Sequence, residues 1–165
     1  MHYNVADPPG PPEIQGYIEG ETIRMGQTVS LTCVSYGGNP LATITWYRND
    51  EMVDMSYTTS GRESRNMYTF VADSADNNAK YSCEARNEMS VETMTAQIIL
   101  AVQFAPESVT IEGPDTAKVN DTLNFKCETA NSNPPATVQW VVDGRSMHAT
   151  FSHSVSTFTR LHLFR

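Results

Sequence analysis

The sequence predicts an all-β protein made of two tandem β-sandwiches, the second of them incomplete. Nine prolines, nine glycines and frequent Ser, Thr and Asn, without apolar residues at a spacing of three and four, indicate short strands joined by turns. A cysteine-to-tryptophan segment that starts at Cys33, CVSYGGNPLATITW, returns 94 residues later at Cys127 as CETANSNPPATVQW. In a chain of 165 residues, this repeat favours two small domains over one large one.

The repeat first predicts a strand around each repeated cysteine. In TVSLTCV, Val29, Leu31 and Cys33 alternate with Thr and Ser, which is the period-two pattern of a half-buried strand. The segment TLNFKCE repeats this alternation up to Cys127. We therefore expect one cysteine of each copy to face the interior of its domain.

The next strand carries the repeated tryptophan. Ile44 shares a face with Trp46, and Val138 shares a face with Trp140. An Asn-Pro pair before each of these strands supplies a turn. We expect both tryptophans to pack in the interior of their domains.

A third strand carries the second cysteine of the first copy. In DNNAKYSCEARN, Ala79, Tyr81 and Cys83 fall on one face, so Cys33 and Cys83 face inward on strands fifty residues apart, with Trp46 between them. Cys, then Trp, then Tyr-x-Cys is the signature of an immunoglobulin-type β-sandwich, in which strands B and F are joined across the two sheets. We interpret these residues as core and disulfide, without a chemical role.

The second copy lacks the last part of this signature. No cysteine follows Trp140 before Arg165, so we expect Cys127 to be unpaired and strands F and G to be absent from this sequence. The predicted organisation is a linker from a preceding domain at 1–11, an immunoglobulin-like domain at 12–103, and a second one, truncated before strands F and G, at 104–165.

The cysteines bear on the cellular compartment. A Cys33–Cys83 bridge is worth roughly 4 kcal/mol in the chain-entropy model, and it persists only in oxidising compartments. Immunoglobulin domains of muscle scaffolds also occur in reducing cytosol, so the fold alone leaves both compartments open. Asn120-Asp121-Thr122 is an acceptor sequence for N-glycosylation. Asn120 also falls opposite Gly26 in the repeat, where asparagine serves equally well as a turn residue.

The charge and hydropathy limit the classes of partner. A formal charge of −8 and a pI near 4.8 argue against nucleic acid and anionic membrane, because binding to either rests on clustered Lys and Arg. No stretch approaches the roughly 20 apolar residues that span a bilayer, and the opening MHYNVADPPGPPEIQGY lacks the apolar core of a signal peptide. We predict no membrane contact by this segment, which is either cytosolic or an internal piece of a longer exported chain.

The sequence contains no pattern that predicts catalysis or cofactor binding. DSADNN at 73–78 is rich in oxygen atoms, but it lacks the Gly and the terminal Glu of an EF-hand loop, so we interpret it as a turn. His148 and His153 have no second pair of ligands with which to complete a zinc site. We predict that the protein is not an enzyme and uses no cofactor or metal.

Five segments in consecutive order resemble the immunoglobulin domains of the nephrin group, which includes sticks-and-stones and hibris. They are PPGPPEIQGY, GGNPLATITWYRND, DNNAKYSCEARN, VQFAPESVTIEGP and SNPPATVQWVVDGR. The resemblance extends from residue 8 to about residue 150. The sequence departs from it at TFTRLHLFR, where the family has strands E, F and G.

The resemblance implies an extracellular segment of a cell-surface adhesion receptor that crosses the membrane once. Receptors of this group bind immunoglobulin receptors of the kin-of-irregular-chiasm group on an apposed cell, mainly through the amino-terminal domain. We therefore expect protein partners to be engaged through other domains of the full-length chain, and a spacer or lateral-contact role here, with 47–57, YRNDEMVDMSY, as the candidate surface. The alternatives are an intracellular structural array of the muscle-scaffold kind and a secreted immunoglobulin decoy.

Overall fold

A computed structural model describes residues 5–148, 150–152 and 154–161. These residues form sixteen β-strands and one short 3₁₀ helix, which confirms the predicted all-β class. The chain divides into two compact units, Met1–Gln103 and Phe104–Arg165.

The first unit is built from two antiparallel sheets. Its strands are β1 (Glu13–Gln15), β2 (Thr22–Arg24), β3 (Thr28–Tyr36), β4 (Thr43–Arg48), β5 (Glu51–Asp54), β6 (Thr58–Ser60), β7 (Glu63–Val71), β8 (Lys80–Arg86), β9 (Met94–Ile99) and β10 (Ala101–Gln103). The 3₁₀ helix, Ser74–Asp76, lies between β7 and β8. The sheet orders are β1-β3-β7-β6 and β5-β4-β8-β9, and β10 pairs in parallel with β2.

Alternation along the strands places the core of this unit between its sheets. Leu31 and Cys33 of β3 are buried, and β8 of the other sheet contributes Tyr81 and Cys83. Because successive side chains of a strand point to opposite faces, the residues between them form the outer faces. Further core residues are Ile23, Val29, Ala42, Ile44, Trp46, Ala72, Ala79, Ala85, Leu100 and Val102.

The described part of the predicted linker, 1–11, is hydrogen-bonded to the first unit. Asp7 and Asn39 exchange two backbone hydrogen bonds, of 3.1 and 2.9 Å. Asn87 Nδ2 donates to the carbonyl of Asp7 at 2.8 Å. The segment is therefore held by the loops that precede β4 and follow β8, because its backbone groups find their partners there.

The second unit has fewer strands. They are β11 (Val109–Glu112), β12 (Thr122–Thr129), β13 (Trp140–Val142), β14 (Arg145–Met147), β15 (Thr150–Ser152) and β16 (Val155–Leu161). Their sheet orders are β11-β12-β16-β15 and β13-β14. Counterparts of β8 and β9 are not found among the described residues of this unit.

TFTRLHLFR at 157–165 is the segment in which the sequence departs from the family pattern. Its first five residues belong to β16, which pairs antiparallel with β12 from Glu128↔Val155 to Thr122↔Leu161. β7 pairs with β3 in the same manner in the first unit. The departure from the family pattern therefore begins after a strand in the place of strand E, and 162–165 lie outside the described residues.

Equivalent hairpins follow the tryptophan strands of the two units. The turn between β4 and β5 has φ of 48° at Asn49 and 69° at Asp50, and the turn between β13 and β14 has 48° at Asp143 and 75° at Gly144. Positive φ at both central residues is the geometry of a type I′ turn, which Asn, Asp and Gly tolerate. The repeat thus extends from sequence to local backbone geometry.

Candidate protein-interaction site

The two cysteines predicted to pair are bonded to each other. Cys33 and Cys83 join the sheets of the first unit with a Cα–Cα distance of 6.3 Å, which confirms the predicted bridge. Trp46 is fully buried and lies in register with Cys83. Its Nε1 donates to the backbone carbonyl of Asn66 on the opposite sheet at 3.2 Å. These residues form the core and give no surface for a partner.

Tyr81 belongs to a buried polar cluster at the 73–78 turn. Its hydroxyl donates to Asp76 Oδ1 at 2.8 Å, and Arg48 Nε donates to the same oxygen at 2.8 Å. Burial raises the pKa of Tyr81, and the hydrogen bond to Asp76 and the charge of that carboxylate raise it further. The carboxylate of Asp73 accepts from the backbone amide of Ala75 and caps the 3₁₀ helix. These two carboxylates are therefore engaged by groups of the protein itself.

The described residues hold neither a candidate metal centre nor a candidate membrane span. No cluster of three or more His, Cys, Asp or Glu within 5–148, 150–152 and 154–161 could hold a metal ion. His148 is among these residues, whereas His153 lies outside the described residues. No helix in the described part of the chain has the length and apolar character needed to cross a bilayer.

In the second unit, Cys127 and Trp140 occupy the positions that are equivalent, 94 residues later, to the first cysteine and the tryptophan of the first unit. Cys127 is a buried free thiol. Trp140 is half-buried, and its Nε1 donates to Ser156 Oγ at 2.8 Å. Its ring stacks on Phe158 with 5.6 Å between centroids. Trp140 is thus held against the neighbouring sheet by a hydrogen bond and a ring contact, although Cys127 is not in a disulfide.

Asn120 lies in the exposed turn before β12. Its φ of 74° is in the left-handed region, as is the φ of 86° at Gly26, the equivalent position of the first unit. The backbone of Asn120 therefore meets the requirement of a turn residue. Its exposure also leaves the side chain accessible to a modifying enzyme.

The outer face of the β5-β4-β8-β9 sheet presents a tyrosine beside charged groups. Tyr47 of β4 is half-buried and lies in register with Met52 of β5. Burial raises the pKa of Tyr47, and Glu84 raises it further through its charge and a hydrogen bond. A neutral phenol on a partly apolar surface suits protein contacts, because such side chains combine apolar area with a polar tip.

The β5 edge of this sheet and the chain that follows it expose methionine and tyrosine side chains. Within the described residues, β5 pairs with β4 and with no other strand. Met52, Met55 and Tyr57 are 59%, 65% and 41% exposed. Flexible methionines adapt to a partner's shape, and an unpaired strand edge can bond to another chain. We call Tyr47, Met52, Met55 and Tyr57 the edge surface; all four fall within the predicted segment 47–57.

Sequence reasoning missed the asparagines that hold the incoming chain. Asn39 pairs with Asp7, and Asn133 of the second unit pairs with Phe104 through backbone hydrogen bonds of 2.9 and 3.0 Å. The signal was the repeated Asn-Pro, which we interpreted only as a turn. The Asn-Pro pair recurs 94 residues later, and in each unit its asparagine forms backbone hydrogen bonds with the segment that leads into that unit.

Two immunoglobulin family models match the chain. The model described as Immunoglobulin domain matches 11–87, and the model described as CD80-like C2-set immunoglobulin domain matches 104–163. The two matched segments do not overlap, and the boundary between the two structural units lies in the interval between them.

Relatives and solved structures agree with these matches. Nephrin of Mus musculus is 33% identical over 151 residues, which is 89% of this chain and 12% of nephrin. Nephrin of Homo sapiens is 34% identical over 148 residues, again with 12% of nephrin covered. The crystal structure of the mouse nectin-like molecule 4 ectodomain, Ig1-Ig3, matches with a TM-score of 0.63 and 25% identity, over 95% of this chain and 56% of that one. The chain thus spans about an eighth of the nephrins.

Proposed function

Because this chain belongs to the immunoglobulin superfamily and is of nephrin type, we propose that it is an extracellular segment of a cell-surface adhesion receptor. The observation that carries the proposal is the Cys33–Cys83 bridge between the sheets. The bridge occurs in a chain that is similar to nephrin over most of the chain's own length.

The bridge favours an exported protein over an intracellular array of the muscle-scaffold kind. Disulfides persist in oxidising compartments, and thiols stay reduced in the cytosol. Exposure of Asn120, the acceptor of the glycosylation sequence, supports the same compartment. The test is mass spectrometry of unreduced peptides from cells that make the protein. The proposal requires a linked 33–83 peptide pair that lacks two hydrogens, and free thiols at both positions would favour the intracellular array.

Within such a receptor, we propose a spacer or lateral-contact role for this segment. The edge surface supports lateral contact, since it combines exposed methionine and tyrosine side chains with a strand edge that the described residues leave unpaired. Immunoglobulin receptors of the kin-of-irregular-chiasm group are the proposed partners of the full-length protein, reached through its other domains. Binding of such an ectodomain to this 165-residue chain is therefore expected to be weak or absent, and tight binding would contradict the spacer assignment.

Lateral contact is tested by tethering the whole chain to a fluid supported bilayer and following its diffusion. The wild-type chain is expected to form slowly diffusing clusters as surface density rises. The variant Met52→Lys should diffuse as a monomer, because the added charge opposes burial of the edge surface. A secreted decoy tethered in the same way would also form clusters, so the diffusion assay tests only the edge surface. Whether the native protein is attached to a membrane is tested by a separate localisation experiment.

The matched control is Met67→Lys. Met67 lies on β7 of the other sheet and is 64% exposed, so it resembles Met52 in chemistry and accessibility. Clustering should survive this substitution. Absence of clustering in the wild type, or equal loss in both variants, would contradict the assignment of the edge surface.

A further inference from the structure

All methionines among the described residues are exposed. Their exposed fractions lie between 37% and 65%, and no core side chain that the structure describes is a methionine. Methionine is ordinarily among the residues most often buried, because its thioether side chain is apolar. The described thioethers are thus confined to the surface, at Met25, Met52, Met55, Met67, Met89, Met94 and Met147.

Two of these methionines, Met52 and Met55, belong to the edge surface. Between them, Val53 of β5 packs against the core of the first unit, so Met52 points to the outer face of the sheet. Tyr47 lies opposite Met52 on that face. Met55 directly follows Asp54, the last residue of β5. Both thioethers are therefore open to reagents in solution, while the strand itself stays packed on the core.

Oxidation of these side chains would change the surface and spare the core. A sulfoxide replaces a flexible apolar side chain with a polar one, and this change disrupts methionine-rich interfaces as well as cores. Because the described core contains no methionine, the sulfoxides form outside it. Burial of a polar sulfoxide in an apolar contact is unfavourable. A contact made through Met52 and Met55 therefore weakens on oxidation, while the fold persists.

We propose that Met52 and Met55 are modification sites, at which oxidation by a hydroperoxide releases the lateral contact of the edge surface. The inference rests on the lateral contact proposed above and adds its regulation. Methionine sulfoxide reductases return both sulfoxide epimers to the thioether, so the release is reversible. Oxidation of Met67, on β7 of the other sheet, or of Met25, between β2 and β3, leaves the contact intact.

The chemical step is transfer of one oxygen atom to sulfur. A lone pair of the thioether sulfur attacks an oxygen of hydrogen peroxide, so that the S–O bond forms and the O–O bond breaks. The proton on the transferred oxygen passes to the leaving hydroxide, which departs as water. The sulfur is oxidised by two electrons, and the peroxide is reduced by the same two. Because hydrogen peroxide is neutral, the net charge of −8 on the chain does not repel it.

The first measurement is the rate of oxidation at each methionine in solution. The full chain carries Cys127→Ser, so that peroxide cannot link two copies through this thiol. Peptide mass spectrometry follows the gain of oxygen at each site after hydrogen peroxide is added. Met52 and Met55 should react within about threefold of their rates in the urea-unfolded chain, because oxidation follows exposure. Rates more than about tenfold slower in the folded chain would overturn the proposal, since both thioethers would then be shielded.

The second measurement compares clustered with unclustered copies of one partly oxidised preparation. The chain is tethered to the fluid bilayer at a density at which the untreated chain clusters. An amine-reactive cross-linker fixes the clusters, and denaturing electrophoresis separates linked copies from monomers. Sulfoxide at Met52 or Met55 should be at least about tenfold depleted in the linked copies, because burial of an unpaired polar group is unfavourable. Sulfoxide at Met25 and Met67, the controls within the same molecule, should be distributed equally.

The remaining outcomes decide against the proposal in distinguishable ways. Equal distribution of the Met52 and Met55 sulfoxides, or equal depletion at the control sites, would overturn it. Reductase treatment should restore clustering, and clusters that stay lost after the sulfoxides have been removed would also overturn it. If the untreated chain forms no clusters, the lateral contact itself fails and the inference fails with it. The untreated sample therefore separates failure of the proposed function from failure of its regulation.

Discussion

The hydroxyl of Tyr81 donates a 2.8 Å hydrogen bond to Oδ1 of Asp76, and both side chains are buried. Arg48 of β4 donates to the same oxygen. The contact ties β8 to the turn that precedes it and, through Arg48, to the neighbouring strand. Because the carboxylate is removed from water, the loss of one of its donors costs more than at the surface.

Replacement of Tyr81 by Phe should destabilise the first unit by about 1.5 to 3 kcal/mol, the range for a hydrogen bond to a charged group. The measurement is urea unfolding followed by Trp46 fluorescence in a Trp140→Phe background. Tyr57→Phe is the control, because Tyr57 is 41% exposed. Equal midpoints for the Tyr81 and Tyr57 variants would contradict a role for this hydrogen bond in stability.

The raised pKa of Tyr81 predicts a loss of stability in alkali. Its pKa in the folded chain lies above the ordinary value of 10.0, chiefly because burial disfavours the phenolate. As pH rises, the unfolded chain therefore loses this proton first. The contribution of Tyr81 is fully present below pH 10 and is lost as pH rises above it.

The alkaline loss is measured as the change in urea midpoint between about pH 9 and pH 11, with Cys127→Ser to prevent thiolate exchange with the disulfide. With Tyr81→Phe, the free energy of unfolding should fall less steeply with pH, by up to about 1.4 kcal/mol per pH unit. A slope remains, since the pKa values of Tyr47 and Tyr68 are raised as well. Identical slopes for the variant and its parent would refute the assignment to Tyr81.

A strand is predictable from the sequence where every inward-facing residue, that is, every second one, is apolar. The strands around Cys33, Trp46 and Cys83 met this condition, and their bridge followed from it. β16 could not be read in the same way, because its inward positions include Ser156 as well as Phe158, and a buried serine breaks the apolar alternation. The role of Asp76 was equally hidden, since it depends on a contact with Arg48, 28 residues away in sequence.

The candidate surface was predictable as a segment but not residue by residue. The pairing of β4 with β5 shifts register between Trp46 and Tyr47, so that Trp46 lies opposite Asp54 and Tyr47 opposite Met52. Such a bulge interrupts the alternation from which faces are read. The exposure of Met52 and its position next to Tyr47 therefore needed the structure.

Two buried serines that face each other in register should respond differently to removal of the hydroxyl. Ser35 Oγ donates to the carbonyl of Gly10 at 2.8 Å. Ser64 Oγ has no hydrogen-bond partner among the described residues. Ser35→Ala should cost about 1 kcal/mol, whereas Ser64→Ala should be neutral or slightly stabilising, because an unpaired buried hydroxyl opposes folding. Urea unfolding of the two single variants makes the comparison, and an equal cost at both positions would disprove it.

Loss of the disulfide should destabilise the first unit strongly. The bridge closes a separation of 50 residues, for which the chain-entropy model gives about 4 kcal/mol. The variant with both Cys33→Ser and Cys83→Ser should show that loss in urea unfolding, and Cys127→Ser should show little change in the first unit. A small effect of the double substitution would mean that packing around Trp46 alone holds the two sheets together.

Asn120 should carry a glycan when the chain is made in the secretory pathway of eukaryotic cells. The side chain is exposed at a turn, and Thr122 completes the acceptor sequence. Thr122→Ala removes the acceptor sequence and retains the asparagine. Asn120→Gly removes the acceptor and preserves the backbone, because glycine adopts the observed φ of 74° without a steric penalty. Both variants should lose the mass that enzymatic deglycosylation removes from the wild-type chain. If the secreted wild-type protein lacks that mass, Asn120 is not glycosylated and serves only as a turn residue.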